Sequence, residues 1–170
     1  MATQQLESKW EGKSIANLKH PKAEQVWPLL EDFCNFHHWL PNIDACHQMN
    51  SDNKDEIIRY CASSTKPPSS SDGGAIVKWC HEKLLTVDKI ERCLSYEVLD
   101  NNIGIKSYVS TLKVLASDGN DENGCQIEWS FVADPIDGLT LELFSGYVDS
   151  SLQGMAENIE NALESSKVIL

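Results

Sequence analysis

Two groups of side chains in this chain have the types and spacings that can do chemistry. The first is Cys34, His37, His38, Cys46 and His47, thiols and imidazoles of the kind that hold zinc. Structural zinc sites set ligands two to four residues apart on both sides of a connecting loop. Here the intervals are irregular and the set straddles a helix end and a strand start, so no metal is assigned. The second group is Arg59, Lys78 and Glu82, with Tyr96 and Tyr108 in the strands that follow. Over 75–87, Val77, Trp79, His81 and Lys83 alternate with Lys78, Cys80, Glu82 and Leu84. Neither face is apolar, so ionisable groups turn inward whichever way the strand faces. Arg59 sits in the preceding strand, and a buried charge is tolerated chiefly when paired. Taken alone, these residues read as a core ion pair between Arg59 and Glu82. Lys78 shares a strand face with Glu82, so Arg59, Glu82 and Lys78 are expected to project into one cavity.

Positioning such groups needs a wall of strands with something packed against it. Residues 8–18 read as a first strand anchored by Trp10. A short helix starts at Pro21 and carries Val26, Trp27, Leu29 and Leu30, with Pro28 limiting its regularity. Asp32 caps a second short helix through Phe36 and Trp39, which Pro41 ends. Strands follow over 44–49, 56–62, 75–87, 93–99, 105–116 and 125–133, separated by turn-forming residues. Within the last, Ile127, Trp129 and Phe131 share the face that points to the core or pocket. The polar, Gly- and Pro-containing stretch 63–74 reads as a mobile loop and a candidate gate, and 117–124 as a hairpin loop. From Asp134-Pro135-Ile136-Asp137, which has the composition of a helix start, apolar residues recur at Phe144, Val148, Leu152, Met155, Ile159 and Leu163. The spacing predicts one long amphipathic helix over about 136–166, on the order of 45 Å. Strands joined by short loops, with helices on one side, predict an α+β antiparallel architecture in a single domain over 1–170, its core about 8–166.

The totals fit that picture. The chain has 170 residues, 41% hydrophobic and 24% charged, enough for a full core. Fourteen Lys and Arg against 26 Asp and Glu give a net charge of −12, which argues against nucleic acid or an anionic membrane surface as partner. No apolar run approaches bilayer length, and the first residues lack a basic end and an apolar stretch. Membrane insertion and secretion are therefore not expected. A cytoplasmic or possibly nuclear setting, with the six cysteines as reduced thiols, is. No Gly-rich phosphate loop and no Gly-x-Ser-x-Gly elbow occurs, which argues against nucleotide hydrolysis.

A series of strings in register carries a resemblance: Lys9-Trp10-x-Gly12-Lys13, Glu24-Gln25-x-Trp27-x-Leu29-Leu30-x-Asp32-Phe33, Arg59-Tyr60, Trp79-x-x-Glu82-Lys83-Leu84, Trp129-Ser130-Phe131 and Gly138-Leu139-Thr140. Through them, nearly the whole chain resembles the START-like, Bet v 1-like superfamily of polyketide cyclase/dehydrase and lipid-transport proteins. Within it the chain is most similar to the plant lachrymatory-factor synthases. The resemblance implies a helix-grip fold, a seven-stranded antiparallel sheet wrapped around the C-terminal helix and enclosing a hydrophobic cavity. It places a catalytic arginine and glutamate on Arg59 and Glu82, and cavity tyrosines on Tyr96 and Tyr108, which turns the ion pair into a pocket site. The ligand-binding set it implies is Lys78, Tyr96, Tyr108, Trp129, Phe131, Phe144, Val148, Ser151 and Met155. No cofactor is implied, and oligomeric state is left open. Two positions depart from the synthases: Lys78 stands where they have an apolar residue, and Ser151 where their long helix has an aromatic. The pocket is therefore expected to differ in shape and charge. Two functions follow. One is binding of a small hydrophobic or amphipathic molecule in the cavity. The other is cofactor-free isomerisation of an alkenyl sulfenic acid or related substrate by proton transfer through Glu82 and Arg59.

Overall fold

The computed structural model of the chain describes residues 8–65, 76–117 and 124–167. Most of the gate expected over 63–74, and most of the hairpin loop expected over 117–124, lie outside the described residues. Seven strands form one antiparallel sheet: β1 (Trp10–Leu18), β2 (Ala45–Gln48), β3 (Ile58–Thr65), β4 (Ile76–Asp88), β5 (Cys93–Asn101), β6 (Tyr108–Ala116) and β7 (Cys125–Ala133). Their spatial order is β1-β7-β6-β5-β4-β3-β2, so β2 to β7 pair with their chain neighbours while β1 crosses to pair with β7. The β1–β2 connection carries helix α1 (Ala23–Glu31) and a 3-10 segment (Phe33–His38). Helix α2 (Leu141–Lys167) closes the fold.

Period-two alternation decides which side of the sheet is the core. In β7, Cys125, Ile127, Trp129, Phe131 and Ala133 are buried, and in β6 so are Tyr108, Ser110, Leu112 and Val114. Helix α2 lays Phe144, Val148, Leu152, Met155 and Ile159 on that face, all buried, as the three-to-four spacing requires. The helix starts at Leu141, several residues later than the 136 read from Asp134-Pro135-Ile136-Asp137. Gly138 adopts φ 84°, a left-handed conformation that interrupts any helix there. The cap is Thr140, whose Oγ1 accepts the Leu143 N–H at 3.2 Å. Asp134 instead forms an ion pair with Lys9 at 2.7 Å, tying the β7 end to β1.

One glycine is needed for close approach. A side chain at Gly12 would overlap the Phe131 ring directly opposite it in the β1–β7 pairing. That ring is held by Tyr108, stacked at 5.9 Å, and by the edge of Phe144 at 4.9 Å. The absent Cβ lets three aromatics meet where the sheet and α2 converge.

Candidate functional site

Arg59 and Glu82 are direct partners across the β3–β4 ladder. Both point inward, Arg59 with 1% and Glu82 with 7% of its surface exposed. The Arg59 Nε donates to Glu82 Oε1 at 2.9 Å, and Nη2 reaches the same oxygen at 2.8 Å. Nη1 donates to the Phe33 carbonyl at 2.6 Å. Three rings enclose the guanidinium, Phe33 at 3.7 Å, Phe36 at 4.1 Å and Tyr96 at 4.8 Å from their centroids. Burial pulls the Arg59 pKa down, but Glu82 and the neighbouring acidic groups outweigh it and the net direction is up. Arg59 is thus a permanently charged anchor. Glu82 Oε2 accepts no hydrogen bond among the described residues.

A pocket of about 160 Å³ lies beside this pair, between the inner sheet face and α2. Glu82, Tyr96, Tyr108 and Trp129 form its sheet wall, and Phe144, Val148 and Ser151 its helix wall. Leu40 to Ile43, Ile103, Ile105 and Tyr147 border it as well. Ser110 organises the sheet wall from behind. Its Oγ accepts from Tyr108 Oη at 3.3 Å and from Trp129 Nε1, and donates to the Ser130 carbonyl at 3.0 Å. Burial raises the pKa of Tyr96 well above the usual phenol value, and raises that of Tyr108 despite the hydrogen bond to Ser110. Both phenols therefore stay protonated; the Tyr96 O–H can donate to a guest, whereas Tyr108, whose proton goes to Ser110, offers its oxygen as an acceptor.

Of the residues singled out in the sequence, the fold brings Arg59, Glu82, Tyr96, Tyr108, Trp129, Phe144, Val148 and Ser151 to this pocket. Phe131 and Met155 are buried nearby but do not line it. Lys78 corrects the expectation of a shared cavity, because it is exposed and absent from the lining. It shares a pleat face with Glu82 but pairs with Ser63, two positions beyond the pocket-lining Cys80, where its ammonium stays hydrated. Register irregularities in the β4–β5 pairing, at Cys80/Glu82 and at Leu84/Thr86, further re-aim the strand around Glu82. Sequence reasoning missed Phe33, Phe36, Cys80 and Ser110. Ser110 had a readable signal, a polar residue at an inward position between Tyr108 and Leu112. The enclosure of Arg59 by the 3-10 segment had none.

The Cys34/His37/His38/Cys46/His47 group is divided by the strand pleat: Cys46 points inward, while His47 is exposed, its ring tilted against that of Tyr60 with centroids 5.1 Å apart. Among the described residues, His20, Glu160 and Glu164 are the set of three metal-capable side chains whose ligand atoms lie within 4.8 Å of one another. They sit at the surface, and Glu160 Oε1 is already occupied by the Lys19 and His20 amides.

A seven-stranded antiparallel sheet with a long C-terminal helix across one face, and a pocket between them, defines the helix-grip class. Residues 20–164 match the family described as polyketide cyclase / dehydrase and lipid transport, and the chain belongs to that family. Similar solved structures include the protein XoxI from Bacillus cereus, 20% identical with a TM-score of 0.65, over 89% of this chain and 94% of that one. An uncharacterised Bacillus thuringiensis protein is 21% identical with a TM-score of 0.66, over 88% of this chain and 98% of that one. The Zhui aromatase/cyclase of a Streptomyces species is 12% identical with a TM-score of 0.65, over 92% of this chain and 94% of that one. These likenesses establish the START-like, Bet v 1-like fold, and family membership associates the chain with small-molecule binding. No helix among the described residues is long and apolar enough to cross a membrane.

Proposed function

We propose that the chain binds a small, largely apolar molecule bearing one hydrogen-bonding group, seated in the pocket with that group at Glu82, Tyr96 and Tyr108. The observation that carries this reading is the division of labour within the ion pair. Arg59 takes Glu82 Oε1 twice and leaves Oε2 unpartnered beside an otherwise apolar, aromatic wall. The pair is electrically balanced, so the pocket offers the Glu82 acceptor oxygen, the Tyr96 O–H as donor and the Tyr108 oxygen as a further acceptor, with no spare cation among the described lining residues for an anionic guest. At about 160 Å³ the pocket is smaller than the roughly 300–1,000 Å³ of drug-sized sites, which favours a compact ligand over a long acyl chain. Trp129 lines the pocket, so tryptophan fluorescence titrated with small alcohols, ketones and terpenoid-sized probes reads occupancy. Ser151→Phe fills the helix wall and is expected to abolish the response. An undiminished response in that variant places the guest elsewhere.

The free oxygen of Glu82 favours a second reading, a cofactor-free proton-transfer enzyme of the lachrymatory-factor synthase type. Glu82 Oε2 carries a proton from the hydroxyl of an alkenyl sulfenic acid to carbon, yielding the thial S-oxide, while the Tyr96 O–H, joined by Tyr108 once its O–H turns from Ser110, holds the sulfenyl oxygen. Arg59 orients the carboxylate and does not meet the substrate in this scheme. Glu82→Gln is then expected to abolish sulfenic-acid turnover and leave binding of a neutral apolar probe intact. Unchanged turnover removes Glu82 from the reaction.

A further inference from the structure

We propose that Cys46 and Cys61 form an oxidisable dithiol, which hydrogen peroxide converts to a disulfide across strands β2 and β3. The two residues are direct partners in the β2–β3 ladder, and their sulfurs lie 3.4 Å apart. Met49 N–H donates to the Ile58 carbonyl, the next register beyond Gln48 and Arg59. Alternation from that hydrogen-bonded pair makes Cys46/Cys61 a non-hydrogen-bonded pair, where Cα atoms approach to about 4.5 Å and side chains crowd together. That separation lies within the roughly 4.4–6.8 Å a disulfide spans, so closing to an S–S bond of about 2.05 Å needs little more than side-chain rotation. Cys80, the partner of Cys61 on its other side, occupies the opposite kind of position. Leu84 N–H bonds to the Ile57 carbonyl, and the same alternation makes Cys61/Cys80 a hydrogen-bonded pair with the wider spacing, about 5.5 Å. The geometry thus selects one pair from a row of three thiols.

The environment assigns the two roles. The Cys61 thiol donates its proton toward the Cys46 sulfur. This hydrogen bond, with help from Arg59, the Phe36 backbone and His37, outweighs burial and lowers the Cys46 pKa to about 6. The same bond, together with burial, holds Cys61 strongly protonated. Cys46 thiolate attacks one peroxide oxygen, an S–O bond forms, the O–O bond breaks, and the departing hydroxide takes the proton that Cys46 shed. Cys61 then gives up its proton and attacks the Cys46 sulfenic sulfur. An S–S bond forms, the S–O bond breaks, and a second water leaves with that proton. Two thiols lose two electrons and one peroxide becomes two waters. Cys46 is 8% and Cys61 3% exposed, so the oxidant must be small. The reaction ties the edge strand β2 to β3 next to the Arg59 anchor, and is independent of what the pocket binds.

The test uses the full chain, reduced, desalted and exposed to a few equivalents of hydrogen peroxide. The thiol titre is expected to fall by two from the six free cysteines, with peptide mapping showing Cys46 joined to Cys61 and dithiothreitol restoring both. The oxidised protein is expected to melt about 5–10 °C higher, since the crosslink closes a loop of about 15 residues. Cys46→Ser and Cys61→Ser each remove the crosslink, and Cys93→Ser leaves it in place. The mapping on the unsubstituted chain stands whether or not the serine variants fold. A crosslink from Cys61 to Cys80, sulfinic acid at Cys46 without a crosslink, or six intact thiols at a dose that oxidises a free small dithiol each overturns the proposal.

Discussion

Replacing Glu82 by Gln removes one charge from a pair that the fold encloses on every side but the pocket. Glutamine keeps the shape and one acceptor, yet leaves the Arg59 guanidinium, 1% exposed, without its counter-ion. What still holds it is the Phe33 carbonyl at 2.6 Å and the faces of Phe33, Phe36 and Tyr96. Breaking a buried pair by removing one partner costs about 3–5 kcal/mol, because the other charge stays dehydrated. The amide retains a hydrogen bond worth about 1 kcal/mol, so the expected cost is about 2–4 kcal/mol. For a chain of this length, that lowers Tm by roughly 4–16 °C. Urea unfolding followed by tryptophan fluorescence gives the free energy directly. Arg59→Met strands the carboxylate instead and is expected to cost about 3–5 kcal/mol. The double variant Arg59→Met/Glu82→Leu carries neither charge and should lose clearly less than the sum of the single variants, with a coupling above about 1 kcal/mol. A Glu82→Gln protein within about 0.5 kcal/mol of the parent refutes this account of a dry, mutually dependent pair.

Gly12→Ala drives a methyl group into the Phe131 ring, which Tyr108 and Phe144 prevent from moving away. A loss of about 1–3 kcal/mol in denaturant unfolding is expected, and an unchanged midpoint means the ring can shift after all. Met155→Asp places a carboxylate at a fully buried position of α2 and is expected to abolish cooperative unfolding, since unpaired buried charge costs several kcal/mol. A normal melt reverses the assignment of the helix face. Thiolate is the alkylating form and exists above the thiol pKa, so Cys46, lowered to about 6, should gain reactivity toward iodoacetamide as pH rises through about 6. Cys93, raised by burial, should respond only at pH above the ordinary thiol range. Mass-spectrometric labelling rates resolve the two, and a common midpoint removes the acidified thiol.

Local patterns along the chain determine the frame of this protein. The alternation of Ile127, Trp129 and Phe131, and the three-to-four spacing from Phe144 to Leu163, are consequences of strand and helix geometry that every chain obeys, so the sheet face and the helix face were legible. The chemical types of Arg59 and Glu82 were legible too, since two ionisable groups on half-apolar strands must find partners if buried. Pattern could not say which oxygen of Glu82 Arg59 occupies, because that depends on the Phe33 carbonyl and on rings from the 3-10 segment. Pleat parity put Lys78 and Glu82 on one face, but the extent of the pocket along β4 is set by neighbouring strands and by α2, and it stops at Cys80. The start of α2 escaped for a related reason. Asp134-Pro135 has the composition of a cap, but Gly138 takes a left-handed turn and Asp134 is drawn to Lys9, just ahead of β1 and remote in sequence. Likewise the 3.4 Å contact of Cys46 with Cys61 exists only once β2 pairs with β3 in its particular register. Residue type and periodicity act over a few neighbours and are written along the chain. Partner choice among buried polar groups is a long-range competition for scarce hydrogen bonds, and only the assembled tertiary structure resolves it.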